Sequence, residues 1–298
     1  MPIPQLSIVI CTYNRQKYIG YCLESLYQQT LAKEVFEVLV INNNCTDQTE
    51  SICMAFKKQH TDWQFRYFVE QRQGLSFARN RGIAESRGEM VCFIDDDAVA
   101  EPDFALNLLN FMLQKPDAIG VGGRVLPRYE QSEPEWMNPY LEGMVSKRDL
   151  GDKIQLFKGG RGGYPVGCNM TYRKKALQKV GGFNEKLLAR ADDKDIYMRL
   201  LPISNQIYYL PTAVVHHHID HARVTHEGFV RLSRKIGSEE HIRARTEGIF
   251  ATTLLGESYK LLGSLVLAAK YALQGQSTKG KYIFLCKYYT MLGLLEGR

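Results

Sequence analysis

Met90-Val91-Cys92-Phe93-Ile94-Asp95-Asp96-Asp97 sets five apolar residues directly before three acids. The apolar run has the length and composition of a buried strand, and ionised aspartates are almost never left unpaired where such a strand ends. In an extended backbone alternate side chains share a face, so Asp95 and Asp97 are expected to point the same way. Two hard oxygen ligands side by side suit Mg²⁺ or Mn²⁺, whose other positions are normally filled by waters and phosphate oxygens. Such an ion offsets the charge of a departing phosphate, which suggests chemistry on a nucleotide or a sugar diphosphate. The competing reading is a solvated turn that opens a helix over 105–113, where acids favour the N-terminus.

Working outward, an apolar strand is expected over 6–11, ending at Thr12-Tyr13-Asn14-Arg15. A helix over 18–29 follows, with Ile19, Cys22, Leu23 and Leu26 on one face. A second strand over 36–41 stops at Asn42-Asn43-Asn44, after which Thr46 or Asp47 can cap a helix to about residue 59. A third strand over 65–69, an Arg- and Ala-rich helix over 75–86 and the strand at 90–94 complete the series. Strands alternating with helices at this spacing predict an α/β fold with a doubly wound, mostly parallel sheet. In that class ligands bind outside the carboxyl ends of the strands. Residues 12–15, 42–44 and 95–97 all fall there, so three polar clusters converge on one rim.

Beyond Pro116 the pattern loosens. A strand is expected over 120–126, and the polar stretch 128–152, with its prolines and Trp136, reads as a mobile flap. Residues 158–163 are glycine-dense and contain Arg161. Gly167-Cys168-Asn169-Met170-Thr171-Tyr172 leads to a helix over 174–180, closed by Gly181-Gly182-Phe183 as helices often are. Asp192-Asp193-Lys194-Asp195 starts another helix, which Pro202 stops. Two short strands are expected over 207–210 and 213–215, the second ending at His216-His217-His218. From about Phe229 onward the pattern is helical and amphipathic.

Composition bounds the possibilities. At 298 residues the chain holds one large domain or one plus a small extension. A net charge of +6 with dispersed Lys and Arg shows no nucleic-acid stripe, so no nucleic-acid partner is expected. Seven cysteines without C-x-x-C spacing argue against a disulfide scaffold or zinc knuckle and for a reducing cytoplasm. The amino terminus lacks a basic region followed by an apolar core, so no signal peptide is expected. The segment 261–273 comes nearest to a membrane span, but it is short and contains Lys270.

Seven pieces in this order resemble the inverting family 2 nucleotide-sugar glycosyltransferases, which have the GT-A fold. They are Ser7-Ile8-Val9-Ile10-Cys11-Thr12-Tyr13-Asn14-Arg15, Asn43-Asn44-Cys45-Thr46-Asp47, Gly74-Leu75-Ser76-Phe77-Ala78-Arg79-Asn80-Arg81-Gly82, Phe93-Ile94-Asp95-Asp96-Asp97, Gly167-Cys168-Asn169-Met170, Gly181-Gly182-Phe183-Asn184-Glu185 and Asp192-Asp193-Lys194-Asp195. The resemblance covers residues 5–220 and implies a GT-A-like domain over 1–227, with a helical extension over 228–298. Within the domain it implies a donor half over 1–115 and an acceptor half over 116–227. It implies a nucleoside-diphosphate sugar as donor, with UDP as the expected nucleotide, and a saccharide or lipid-linked acceptor. Transfer would invert the anomeric carbon, in the synthesis of cell-surface or extracellular polysaccharide.

The site residues carried over are Thr12, Tyr13, Asn14, Arg15, Asn42, Asn44, Gly74, Arg79, Asn80, Asp95 and Asp96 for nucleotide and donor. Gly167, Asn169 and Asp192 are carried over for acceptor and donor sugar. Asp95, Asp97 and His217 are carried over for the metal, with Asp96 facing ribose or a donor-sugar hydroxyl. His216 or His218 takes the place of His217 if the register slips by one. Arg79 and Arg161 are the cations placed near the diphosphate. Asp193 matches the family's base: a sugar hydroxyl is a poor nucleophile at neutral pH, so a carboxylate must take its proton as the bond forms. Two departures stand out. Asn42 replaces the family's usual Asp, keeping a carbonyl for a base imide but losing the charge. Asp192-Asp193 replaces the usual Glu-Asp, one methylene shorter at the first acid.

The stretch 228–298 reads either as a helical pair packed on the catalytic domain or as an interfacial helix meeting a membrane peripherally, where a lipid-linked acceptor would sit. That second reading rests on the apolar stripe over 261–273 and on Lys279, Lys281 and Lys287 among aromatics. A rival enzyme class is also open: Asp95-x-Asp97 after an apolar strand fits a haloacid-dehalogenase-like phosphatase, although about 90 residues with their own strand pattern precede it. A non-catalytic nucleotide-sugar-binding protein on the same scaffold is the non-enzyme alternative.

Overall fold

The computed structural model describes residues 2–159, 163–187 and 192–297. Two compact units emerge, Met1–Leu126 with Arg148–His218, and Pro127–Lys147 with Ile219–Arg298.

The first unit is built on the expected alternation. Strands β1 (Leu6–Thr12), β2 (Phe36–Asn42), β3 (Phe65–Val69) and β4 (Met90–Asp95) are parallel, in the order β3-β2-β1-β4. Helices α1 (Ile19–Tyr27), α2 (Thr49–Gln59) and α3 (Leu75–Glu85) make the crossovers. Alternate residues of each strand fill two cores, one on each face of the sheet. Ile8, Ile10, Val38, Val40, Cys92 and Ile94 belong to one; Val9, Leu39, Ile41, Val91 and Phe93 belong to the other. Burial on both faces explains why β1, β2 and β4 are apolar over most of their length. Ile19, Cys22, Leu23 and Leu26 form the buried face of α1, as their spacing predicts.

Beyond β4 the chain makes β5 (Ala98–Ala100), α4 (Phe104–Gln114), β6 (Gly120–Tyr129), β7 (Gln155–Leu156), β8 (Asn169–Arg173), α5 (Lys174–Lys179), α6 (Asp192–Leu200) and β9 (Ile207–Ile219). These strands continue the sheet in the order β4-β8-β6-β9-β5, with β7 also on β9. Strand β8 is antiparallel to β4 and β6, and β5 and β7 are antiparallel to β9. The Ile119 N–H to Gln206 and the Glu130 N–H to Ile219 bonds show β6 and β9 running parallel. Strand β5 was not foreseen. Nor was β9 as one strand, because Pro211 reads as a stop. On the edge of β9 that faces β7 and β5 it falls between the β7 ladder at Tyr208 and Tyr209 and the β5 ladder at Val215, His216 and His217, so neither of those ladders needs its N–H.

The second unit contains α7 (His221–Val224), α8 (His226–Thr246), α9 (Phe250–Leu273) and α10 (Ser277–Glu296). Thr225 caps α8 by accepting the Gly228 N–H at 3.1 Å. The stretch read as a mobile flap belongs here in its greater part, and it is packed. Trp136, Met137, Leu141, Met144 and Val145 are buried with Ile219, Val224, Phe229, Ile283 and Cys286. The Trp136 ring stacks on Tyr282, with centroids 5.2 Å apart. A compositional reading sees the polar majority of this stretch and misses five apolar anchors. Of the α10 aromatics, Tyr282 and Tyr289 pack against the same core, whereas Tyr288 is exposed. Among the described residues no helix is long and apolar enough to cross a membrane.

Candidate active site

Register assembles the rim. Thr12 lies beside Asn42 in the β1–β2 ladder, and Cys11 beside Asp95 in the β1–β4 ladder, so the three polar clusters end side by side. Asp95 and Asp97 do come together, though not by strand alternation. Asp95 ends β4, Asp96 and Asp97 form a turn, and β5 then pairs with β9. That pairing sets Ala98 opposite His217, and the His218 N–H donates to the Asp97 carbonyl at 2.8 Å. His217 is thereby carried to the acids, with Nε2 at 3.1 Å from Asp97 Oδ1. One ligand atom each from Asp95, Asp97 and His217 lies within 4.8 Å of the others. His216 instead reaches Glu101 at 3.1 Å, and His218 stacks near Tyr18 and Tyr21.

The donor set fits a divalent ion. Two ligands on an ion with bonds of about 2.1 Å are roughly 3.0 Å apart when adjacent and about 4.2 Å apart when opposite. The His217–Asp97 separation of 3.1 Å matches the first value, and no two of the three ligand atoms lie more than 4.8 Å apart. Electrostatics point the same way. Burial, and then the Asp97 charge, push the Asp95 carboxyl above its usual range, and burial with Asp97 pushes Asp96 well above it. Three acids in so little water call for a cation. Arg15 partly meets that need, with Nε 3.5 Å from Asp96 and Nη2 3.4 Å from Asp97.

Arg79 links the rim to the second acidic motif. It is buried on α3, beneath the Phe93 and Phe183 rings. Its guanidinium bonds Asp192, lies 3.7 Å from Asp95 and donates to the Gly167 carbonyl at 3.3 Å. A Cβ at 167 would lie 2.5 Å from Arg79 Nη2, so glycine is what lets the arginine in. Asp193 accepts the Gly167 N–H at 3.3 Å and the Lys194 N–H at 2.7 Å. Burial, and next the Asp192 charge, raise its pKa, against the pull of Arg79 and the two N–H groups. Asp195 is held apart by Arg199, at 2.6 Å.

Other expected site residues are placed in supporting roles. Asn42 accepts the Cys45 N–H and donates to the Tyr67 hydroxyl, both at 2.7 Å, so its carbonyl already has one partner. Asn14 and Asn44 are left-handed, at φ 54° and 66°. Asn14 accepts the Thr46 N–H and Asn44 donates to the Gln71 carbonyl, which ties the rim loops together. Asn80 spends both ends of its amide on the Phe183 backbone, and Asn169 donates to the Arg124 and Ala213 carbonyls. Thr12 is buried beside Asp96, whereas Tyr13 is exposed on the rim. Asn43 was passed over. It is buried, donates to the Glu70 and Arg72 carbonyls and accepts the Gly74 N–H, fixing the turn into α3. Only its place within an asparagine run hinted at this. Arg161 lies outside the described residues.

The sequence profile described as Glycosyl transferase family 2 matches residues 7–181. A glucosyl-dolichyl phosphate glucuronosyltransferase of Haloferax volcanii is 26% identical over 208 residues, 68% of this chain. The chain spans 63% of that relative's length. Among solved structures, the mannosyltransferase PcManGT of Pyrobaculum calidifontis, in complex with GDP-Man and Mn²⁺, superposes with a TM-score of 0.65 at 18% identity. That likeness covers 95% of this chain and 86% of the other. S. aureus TarS 1-349, in complex with UDP-GlcNAc, gives 0.59 at 18% identity, covering 94% and 90%. These likenesses show the GT-A fold, a mixed α/β arrangement around a mostly parallel sheet. They leave no place for the phosphatase alternative, whose fold opens with the aspartate-bearing strand. With the profile matched over more than half its length, the chain belongs to glycosyl transferase family 2.

Proposed function

We propose that this protein is a metal-dependent inverting glycosyltransferase. It moves a sugar from a nucleoside-diphosphate sugar, with UDP the favoured nucleotide, to a hydroxyl of a saccharide or lipid-linked acceptor, in cell-surface or extracellular polysaccharide synthesis. The observation that carries this reading is the joining of two acidic centres by one buried arginine. Asp95, Asp97 and His217 stand on one side of Arg79, and Asp192 with Asp193 on the other.

Asp95, Asp97 and His217 would hold the ion, and a donor set mixing carboxylates with an imidazole favours Mn²⁺ over Mg²⁺. When bound, that ion offsets charge on the leaving diphosphate. The chain's own residues do the rest. Arg79 neutralises Asp192 and orients the Gly167 turn, and that turn holds Asp193 by its N–H. Asp193, with a raised pKa, takes the acceptor proton. Arg15 offsets part of the charge of Asp96 and Asp97.

The relative acting on a dolichyl phosphate supports a lipid-linked acceptor, and the TarS complex supports a UDP-sugar donor. We place the enzyme in the cytoplasm. A lipid-linked acceptor would bring it to the inner face of the membrane peripherally, with the exposed Lys281 of α10 toward the anionic surface.

Turnover of UDP- and GDP-sugars with Mn²⁺ tests the reading. Release of nucleoside diphosphate is expected, and the right nucleotide should raise the melting temperature by mass action. Asp97→Ala should stay folded and lose that Mn²⁺-dependent shift. Release of inorganic phosphate alone, or binding without turnover of any nucleotide sugar, would reject the assignment.

A further inference from the structure

Helix α9 carries a face that nothing described in its own unit covers. Leu255, Tyr259, Leu262, Val266, Ala269 and Leu273 succeed one another at alternating steps of four and three residues. All six are exposed, Tyr259 at 80%, Val266 at 72% and Leu273 at 91%. A repeat averaging three and a half residues makes a straight apolar seam along a helix, of the kind a second helix covers.

Two glycines run beside it. Gly256 follows Leu255 and Gly263 follows Leu262, although glycine is among the poorest residues inside a helix. Other helical glycines of this unit have a visible reason. A Cβ at Gly237 would meet the Thr290 carbonyl at 1.9 Å, one at Gly280 the Ala268 carbonyl at 2.6 Å, and one at Gly293 the Arg234 carbonyl at 2.0 Å. Each lets another helix's backbone come close. Gly256 and Gly263 have nothing within 4 Å.

We propose that this seam binds α9 of a second copy of the chain, antiparallel, to form a two-fold dimer. A lipid surface conforms to any side chain and gains nothing from glycine, whereas an approaching helix does. Charge permits self-pairing: the flanking positions hold Gly256, Ser258, Gly263, Leu265 and Ala272, with Lys270 the one charged residue. Glu257 is already held by Lys260 and Lys287. Antiparallel pairing about residue 264 sets Leu255 opposite Leu273, Leu262 opposite Val266, and Tyr259 opposite Ala269. The largest seam side chain then meets the smallest, as interdigitation requires. With Leu265, the exposed apolar surface is on the order of 700 Å² per copy, close to one partner's share of a standard interface.

Light-scattering mass of the full chain should report a dimer. Val266→Glu should give a monomer with unchanged helix content and a melting temperature that no longer rises with protein concentration. Gly256→Leu with Gly263→Leu should keep or raise the melting temperature, because the space is open and leucine favours helix, yet weaken dimerisation at least tenfold. On oxidation, Leu255→Cys with Leu273→Cys should give an interchain disulfide that neither single variant forms. A monomeric wild type at its highest soluble concentration would overturn the proposal, as would a dimer indifferent to Val266→Glu. So would a monomer that sediments with phosphatidylglycerol vesicles through the same residues, and linking by either single cysteine would overturn the antiparallel arrangement.

Discussion

Asp193 differs from its acidic neighbours in what it touches. Asp192 is taken by Arg79 and Asp195 by Arg199, while Asp193 accepts backbone N–H groups. Asp193→Asn preserves size and removes the proton acceptor. Donor binding is expected to persist while transfer falls by about 10²–10⁴-fold, the range for loss of a general base. The active form is the ionised one, so transfer should be lost as pH falls through a pKa above the ordinary aspartate range. Asp192→Asn removes the charge that lifts it, so the acid limb of the pH profile should move to lower pH. Transfer by Asp193→Asn within a few-fold of wild type would end the role. At the metal corner, His217→Ala should weaken Mn²⁺ about tenfold or more in a titration of nucleotide binding. His216→Ala and His218→Ala, facing Glu101 and Tyr18, should leave that titration nearly unchanged.

Elements decide whether those residues meet, and here legibility divides. Strands β1, β2 and β4 announce themselves because each is buried on both faces and ends in polar residues, so the rim of residues 12, 42 and 95 was readable. The approach of Asp95 and Asp97 was readable but for an incomplete reason, since a turn and not an extended strand folds Asp97 back. The choice of His217 among three histidines was not readable from pattern alone. It depends on the β5–β9 register, and β5 is only Ala98–Ala100, too short and plain to leave a periodic signal. The asparagines show a converse lesson. Asn80 sits in the right motif, yet both ends of its amide hold backbone, and the Asn169 NH2 is likewise spent on the Arg124 and Ala213 carbonyls. The turn at Gly167 gives a test at this scale. Gly167→Ala drives a methyl into Arg79, which should cost about 1–3 kcal/mol of stability. It should also lower kcat well beyond what the melting temperature explains. Full activity would show that Arg79 has room the geometry does not suggest.

At the scale of the molecule, each unit stands on its own core. Ile283, Cys286, Met291 and Leu294 of α10 are buried in the second unit. Removing residues 276–298 strips several large apolar side chains from it, each worth about 1.5–3 kcal/mol, a loss comparable with a domain's whole stability. That truncation should be insoluble or lose cooperative thermal unfolding; a cooperative, soluble product would show the core to be dispensable. The order in which the chain visits its units has a consequence for biosynthesis. Strand β4 is complete at Asp95, but β8, which covers its outer edge, ends only at Arg173. Between them the chain leaves to lay down residues 127–147 of the other unit. At roughly 5–20 residues per second, a ribosome spends on the order of 4–16 s on that stretch. For that interval the nascent protein presents Met90 to Ile94 as a bare apolar strand edge, the kind of template on which unfinished chains pair with one another.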